Sequence, residues 1–249
     1  MRNRLMTPEL MDDPALDPTE HRRALAGLNR LNVLSRAAKP VYGAMAAMQR
    51  ARQLKGQVAS ERTSIVDIAT GGGDLLLELA RELSAAQRGR LLGVDISPTA
   101  LATAQQNASA AGLAAEWLAA DVVRGGLPLG DQSMDFAVCS LFLHHLESDE
   151  VVRVLKELAR ISRIGIIISD LRRSRAGLLL AASAGRIVTR SAVVHADSVK
   201  SVRAAWTQGE LAELAAAAGL DNARVERIWP CRLLLSWQRS EPAAGETSC

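Results

Sequence analysis

The sequence predicts an α/β fold on a mostly parallel sheet, and two observations carry that reading. From Thr63 onward, short apolar runs alternate with amphipathic stretches, the rhythm of strands joined by crossover helices. Near the end, two strand-like runs are separated only by Pro230 and Cys231, too few residues for a crossover, so they must pair antiparallel beside that sheet. A length of 249 residues with 48% hydrophobic content is enough for one sizeable core.

Taken in order, the chain opens with helices. Asp17-Pro18-Thr19-Glu20 is a helix entry, with Asp17 as N-cap, Pro18 at the first helical position and Glu20 at the third. Leu25, Leu28, Leu31 and Leu34 then recur at three-residue spacing, and Arg22, Arg23 and Arg30 fall off that stripe. Lys39-Pro40 interrupts the pattern before a second amphipathic stretch, Val41 to Leu54. Strands are expected at 64–69, 90–95, 115–120, 134–141, 164–171, 224–229 and 232–238, which makes a seven-stranded sheet. Helices are expected at 74–84, 98–111, 149–161, 176–190 and 208–218. Residues 1–60 are thus a helical cap, 61–240 the α/β domain with a helical insertion over about 174–207, and 241–249 a polar tail that frays.

Composition narrows the function classes. Thirty Lys+Arg against 27 Asp+Glu give only +3, too thin a charge for nucleic acid, and four Trp, two Phe and one Tyr offer few platforms for stacking bases. Cys139, Cys231 and Cys249 lie far apart, with no CxxC pair and no histidine cluster at metal spacing. The expectation is no disulfide framework, no metal and a reducing cytoplasm. The first 30 residues carry charges throughout, unlike a signal peptide. The stretch Ala176–Val188 contains Arg186 and falls short of the ~20 residues that cross a bilayer.

In an open α/β sheet the ligand lies beyond the carboxyl ends of the strands. The first strand runs into Val66-Asp67-Ile68-Ala69-Thr70-Gly71-Gly72-Gly73-Asp74, a glycine turn that lets backbone approach a ligand. Leu76 stands where a dinucleotide fingerprint wants its third glycine, and Asp67 would repel a pyrophosphate but suits an amine or sulfonium. The second strand ends in Gly93-Val94-Asp95-Ile96-Ser97, where Asp95 can accept from two ribose hydroxyls and Ile96 can pack on a base. The third ends in Ala119-Ala120-Asp121-Val122, where Asp121 can accept from an adenine amino group. Three acids at three successive strand ends match a cationic adenosine ligand.

With VDIATGGGD, GVDIS, AADVV and MDFAVCSLFLHHL in this order, Thr63 to Leu171 resembles the core of class I S-adenosylmethionine-dependent methyltransferases. The Ala69-Thr70 form of the glycine motif, where many members have Gly for Ala69, is similar to enzymes of the ubiquinone and menaquinone biosynthesis type. The resemblance implies a Rossmann-like fold and S-adenosylmethionine as cofactor, released as S-adenosylhomocysteine. By position it implies Asp67, Ala69, Thr70, Gly71 and Gly73 at the methionine end, Asp95 on the ribose, Asp121 and Val122 on adenine, and Ser140 near the methionyl group. His195 to Leu220 is similar to the C-terminal part of bacterial small-molecule methyltransferases acting on phenolic or quinol-like lipids.

Candidate chemistry follows. His144 and His145 come just after the fourth strand, where an imidazole can take a proton from a phenol or enol; as neighbours in sequence, only one is expected to face the site. His195 is placed in a polar loop beyond the insertion. Asp170 could orient a substrate hydroxyl, and Arg172 and Arg173 could bind an anionic group. Asp135 reads as structural. The expected reaction is methyl transfer to a hydroxyl of a small, largely apolar acceptor, with transfer to carbon or nitrogen, or a non-catalytic binding module, as alternatives. RNA or protein is the other acceptor class; against base methylation, Cys139-Ser140-Leu141-Phe142 replaces the Asn/Asp-Pro-Pro-aromatic run that holds a flipped base. The partner is then a small molecule, with no nucleic acid, membrane-surface contact only for a lipid acceptor, and a monomer or homodimer.

Overall fold

The seven expected strands form one sheet in the order β3-β2-β1-β4-β5-β7-β6. They are β1 (Thr63–Ile68), β2 (Arg88–Asp95), β3 (Glu116–Ala119), β4 (Met134–Ser140), β5 (Ser162–Leu171), β6 (Arg224–Ile228) and β7 (Arg232–Gln238). The first five are mutually parallel, β7 pairs antiparallel with β5, and β6 pairs antiparallel with β7 at the edge. The helices are α1 (Pro18–Leu34), α2 (Ala38–Leu54), α3 (Asp74–Glu82), α4 (Pro98–Ala110), α5 (Ser148–Ile161), α6 (Arg175–Val188), α7 (Ala192–Ala204) and α8 (Gln208–Ala217). The computed structural model describes residues 3–12, 15–34, 36–56, 62–188 and 191–240. The boundary at residue 60, the tail 241–249 with Cys249, and the side chains of Leu28, Leu31 and Leu34 lie outside what is described.

Strands buried on both faces need helices on both, and the core divides accordingly. On one face α5 presents Val151, Val154, Leu155, Leu158 and Ile161 at helical spacing, packed with Trp206, Leu211 and Leu235. Each such side chain contributes about 1.5–3 kcal/mol by leaving water. On the other face Val41, Met45 and Met48 of α2 meet Leu76 and Leu79 of α3 over Phe136 and Ile167. Pro40 falls in the first turn of α2, where its missing N–H is not needed. Asp17 accepts from the N–H groups of Thr19 and Glu20, which makes it the cap of α1. Asp135 is structural: it accepts from the Ser64 N–H and hydroxyl and pairs with Arg163.

The insertion after β5 is two helices rather than a helix and a loop. His195 therefore sits on α7, which Ser191 caps by accepting from the Val194 N–H. Polar Asp197, Ser198 and Ser201 suggested a loop; they line the cavity described below, so their polarity reflects what the helix faces.

The turn between β1 and α3 leaves no room for a side chain at its last residue. Gly73 starts α3 at φ +79°, and a Cβ there would lie 2.9 Å from the Trp117 ring and 3.2 Å from Ala104. Gly73→Ala is expected to cost about 1–3 kcal/mol through backbone strain and overpacking, read as a lower urea midpoint with an unchanged slope.

Candidate active site

A cavity of about 1180 Å³ opens at the carboxyl ends of the strands. One half is built from the first three. Thr70 donates its hydroxyl to Asp67 (2.7 Å) at the foot of the glycine turn, and the Gly71 N–H donates to Asp95 Oδ2 (2.8 Å). Asp95 Oδ1 takes the Ser97 N–H (2.9 Å), and Asn107 donates to the Gly72 carbonyl (2.9 Å). The glycine turn is thus braced by the loop after β2 and by α4. Ala69 and Gly71 are both at positive φ (53° and 54°), a conformation that bends the backbone toward the cavity. Asp121 Oδ1 accepts from the N–H groups of Val123 and Arg124, which orients its carboxylate at the rim. Exposed Ile96 and buried Val122 add apolar surface, and Leu25 of α1 covers the turn from above.

This half is charged against its own burial. Burial, reinforced by the carboxylates of Asp95 and Asp74 and opposed by the Thr70 hydroxyl, pushes Asp67 up to about 7. Burial together with Glu78 raises Asp74 to about 6. Acids crowded so that one resists ionisation are relieved by a bound cation. The residues present therefore fit S-adenosylmethionine, which carries an ammonium and a sulfonium beside its adenosine.

The other half is built on the 3-10 turn Leu143–His145 that follows β4. His144 is buried, and its Nδ1 lies 2.6 Å from Asp170 Oδ1, while its N–H donates to Asp170 Oδ2. Burial alone would raise Asp170; the His144 charge and hydrogen bond, with the Leu171 N–H, outweigh it and hold the carboxyl below its usual range. The turn is fixed from outside by Trp206, which donates to the Leu143 carbonyl (2.8 Å). Arg4 stacks on Trp206 and donates to the carbonyls of His144, Leu146 and Ala204.

The structure brings Asp67, Ala69, Thr70, Gly71, Asp95, Ile96, Asp121, Val122 and Ser140 to the one cavity. Gly73 is not at its wall, being spent on the Trp117 contact. His144 and His145 both line it, with their ring centroids 4.1 Å apart, so the expectation that only one would face the site does not hold. His195 does not reach the wall; Asp197 and Ser201 of the same helix do. Asp170 stands behind His144, and Arg173 turns inward to Glu210 (2.5 Å) and the Ala205 carbonyl. Arg172 is likewise off the wall, so none of these three is part of the cavity lining. Two other arginines do line the cavity, Arg124 beyond Asp121 and Arg232 at the start of β7, in register with Leu171; the second is nearest the histidine turn's Asp170. Burial lowers it to about 10, with Asp170 opposing the shift, so it is charged at neutral pH. Glu9, from the first residues described, also lines the wall.

Residues 65–165, from β1 into β5, match the family model described as a methyltransferase domain. That stretch carries the glycine turn and the acids at the ends of β1, β2 and β3. A SAM-dependent methyltransferase from Aquifex aeolicus shares this methyltransferase fold at TM-score 0.54 and 17% identity, over 72% of this chain and 84% of that one. The magnesium protoporphyrin IX methyltransferase of Synechocystis PCC 6803, solved with bound SAH, gives TM-score 0.54 and 17% identity over 92% and 90%. At that identity the likeness is one of fold. The 2-phytyl-1,4-naphtoquinone methyltransferase of Nostoc punctiforme is 32% identical over 114 residues, 45% of this chain. The match spans 47% of that protein, so the chain covers about half the length of this curated relative. Among the described residues, no helix is long and apolar enough to cross a membrane.

The sign of the Asp67 shift gives a measurable pH dependence. Its carboxyl is neutral below about 7 and charged above, and a cation binds the charged form more tightly. S-adenosylmethionine affinity, followed by calorimetry, is expected to strengthen as pH rises through that value. In Asp67→Asn the affinity should be roughly tenfold weaker above the transition, and the pH dependence should flatten.

Proposed function

We propose that this protein transfers the methyl group of S-adenosylmethionine to a hydroxyl of a small, largely apolar acceptor of the phenol or quinol type. The observation that carries the reading is that one cavity joins an acid-lined half to a buried His144–Asp170 pair. Asp67, Asp95 and Asp121, with the glycine turn, would hold the cofactor, which supplies an electrophilic methyl carbon on sulfur. Apolar side chains of α1, α6 and α7, among them Leu25, Leu180 and Val194, would cover an apolar acceptor.

His144 is the group that moves the proton. A carboxylate only accepts, so Asp170 fixes a proton on Nδ1, and in the neutral ring Nε2 is then the basic nitrogen. With the cofactor and acceptor bound, Nε2 would take the proton of the acceptor hydroxyl, which would leave the oxygen free to accept the methyl group that the cofactor supplies. Asp170 holds the ring in this tautomer and stabilises the imidazolium, the role a buried aspartate plays behind any histidine base. Arg232 places a second positive charge in the cavity, where it favours the phenolate over the phenol. Exclusion of water and in-line alignment supply the remainder of the acceleration.

Transfer to a ring carbon of a quinone precursor is a second reading, favoured by the likeness to the 2-phytyl-1,4-naphtoquinone methyltransferase of Nostoc punctiforme. The test is incubation with methyl-labelled S-adenosylmethionine and a panel of alkylphenols, resorcinols and quinols beside bulk tRNA. Mass spectrometry and NMR of the products should find the label on a phenolic oxygen. Label on tRNA, or on no acceptor, would overturn the reading, and label on carbon would establish the second. With an acceptor in hand, His144→Gln should lower kcat by about 10²-fold and leave cofactor affinity within about twofold; an unchanged kcat removes His144 from the proton transfer.

A further inference from the structure

Residues 3–12 lie across the histidine turn, and their bonds run to that turn, to α5 and to α7. Arg4 donates to the His144 and Leu146 carbonyls and pairs with Glu147 (3.4 Å), and the Leu5 N–H donates to the Arg203 carbonyl (3.2 Å). Buried Asp197 accepts from the N–H groups of Leu10 and Met11, each at 3.0 Å, and Lys200 reaches the Pro8 carbonyl (2.9 Å). Between these anchors Glu9 is carried to the cavity wall. The Ser201 hydroxyl donates to its Oε1 at 2.6 Å, and its carboxylate and ring nitrogens of His144 and His145 lie within 4.8 Å of one another. An anion has been set opposite two imidazoles by a segment more than 130 residues away in sequence.

We propose that Glu9 is a positioning residue of the acceptor half, stabilising through space the imidazolium that forms when His144 takes the acceptor's proton. The inference rests on the methyl-transfer reading above. Asp170 holds the Nδ1 side of the ring, so a second carboxylate facing the histidine pair from the cavity side balances the charge that arrives at Nε2. The other charged groups around the turn are His145 beside it, Arg4 and Glu147 on its carbonyl side, Asp197 on α7, and Arg232 next to Asp170. Arg4 and Arg232 are cations and oppose a positive ring, which makes the placement of Glu9 consequential. Two histidines and a carboxylate are also a possible ligand set for a divalent ion. These rings, however, are tilted by 36° with their centroids 4.1 Å apart, closer than the ~5 Å at which two imidazoles on one tetrahedral ion stand. That geometry favours the electrostatic role.

The experiment compares the wild-type chain with E9Q and the charge-conserving E9D by two readouts. The first, needing neither cofactor nor acceptor, is NMR titration of the histidine ring protons. Two rings should titrate at lower pH in E9Q than in the wild type, because removal of a nearby anion favours the neutral ring, and E9D should restore most of the difference. The second is the rate–pH profile with whichever acceptor the labelling panel yields. In E9Q the acid limb should move to lower pH, with kcat down by about tenfold and cofactor affinity unchanged. Identical titrations and profiles in E9Q and wild type would overturn the proposal. So would zinc binding by the wild type that E9Q lacks, coupled to loss of activity in EDTA, which would make the three residues a metal site. If the wild type methylates no acceptor, the methyl-transfer reading fails separately, and the titration still reports whether Glu9 acts on the histidines.

Discussion

The constraint on which the site depends is the position of β1 between β2 and β4. Both neighbours run parallel to it, and the chain moves outward from β1 first on one side, through β2 and β3, and then on the other, through β4 and β5. Parallel strands deliver their carboxyl ends to one edge, and the reversal leaves a crevice where the following loops diverge. The register is specific about what arrives there. Asp67 is opposite Gly93 and Val138, and Ile68 is opposite Val94 and Cys139, so the glycine turn, the Asp95 loop and Ser140 emerge at one level. Gly93 has no side chain because the Trp117 ring fills its place, so the strand spacing and the turn are packed by one indole.

The two halves of the cavity use opposite electrostatic strategies. Around the glycine turn, carboxylates stand close together with little internal compensation, and the cost appears in the raised Asp67 and Asp74. Around the histidine turn, Asp170 is at least as deeply buried yet is held below its usual range, since His144, the Leu171 N–H and nearby Arg232 all favour its charged form. A region left strained by like charge is suited to a cationic visitor, and a region already balanced is suited to passing a proton.

How much of this the sequence revealed follows from how local each signal is. The strands and the acids at their ends are written in consecutive residues, VDIATGGGD and GVDIS among them, and could be read without knowing the fold. Leu171 and Arg232 are adjacent only through the pairing of β5 with β7. Continuing that register across the hairpin would have found Arg232, whereas proximity along the chain pointed to Arg172 and Arg173. Arg173 is used instead to tie Glu210, itself bonded to the Thr207 N–H, at the start of α8. Glu9 carried no signal at all, being one acid in a charged stretch until α7 supplied Ser201 and Asp197. The helix around His195 was hidden for a related reason: a helix that faces a polar strap does not display an apolar stripe.

The Arg4 guanidinium bonds to the Ala204 carbonyl across 200 residues of chain and to Leu146 across 142. Contacts that close loops of this size form against the largest entropy and gather late, after the local βαβ units have set. Order of assembly is thereby built into the molecule. The glycine turn and its braces, spanning Asp67 to Asn107, can be complete while the histidine turn still lacks its outer wall. The acceptor half becomes a closed chamber only once α7 has docked and the start of the chain has folded back across it.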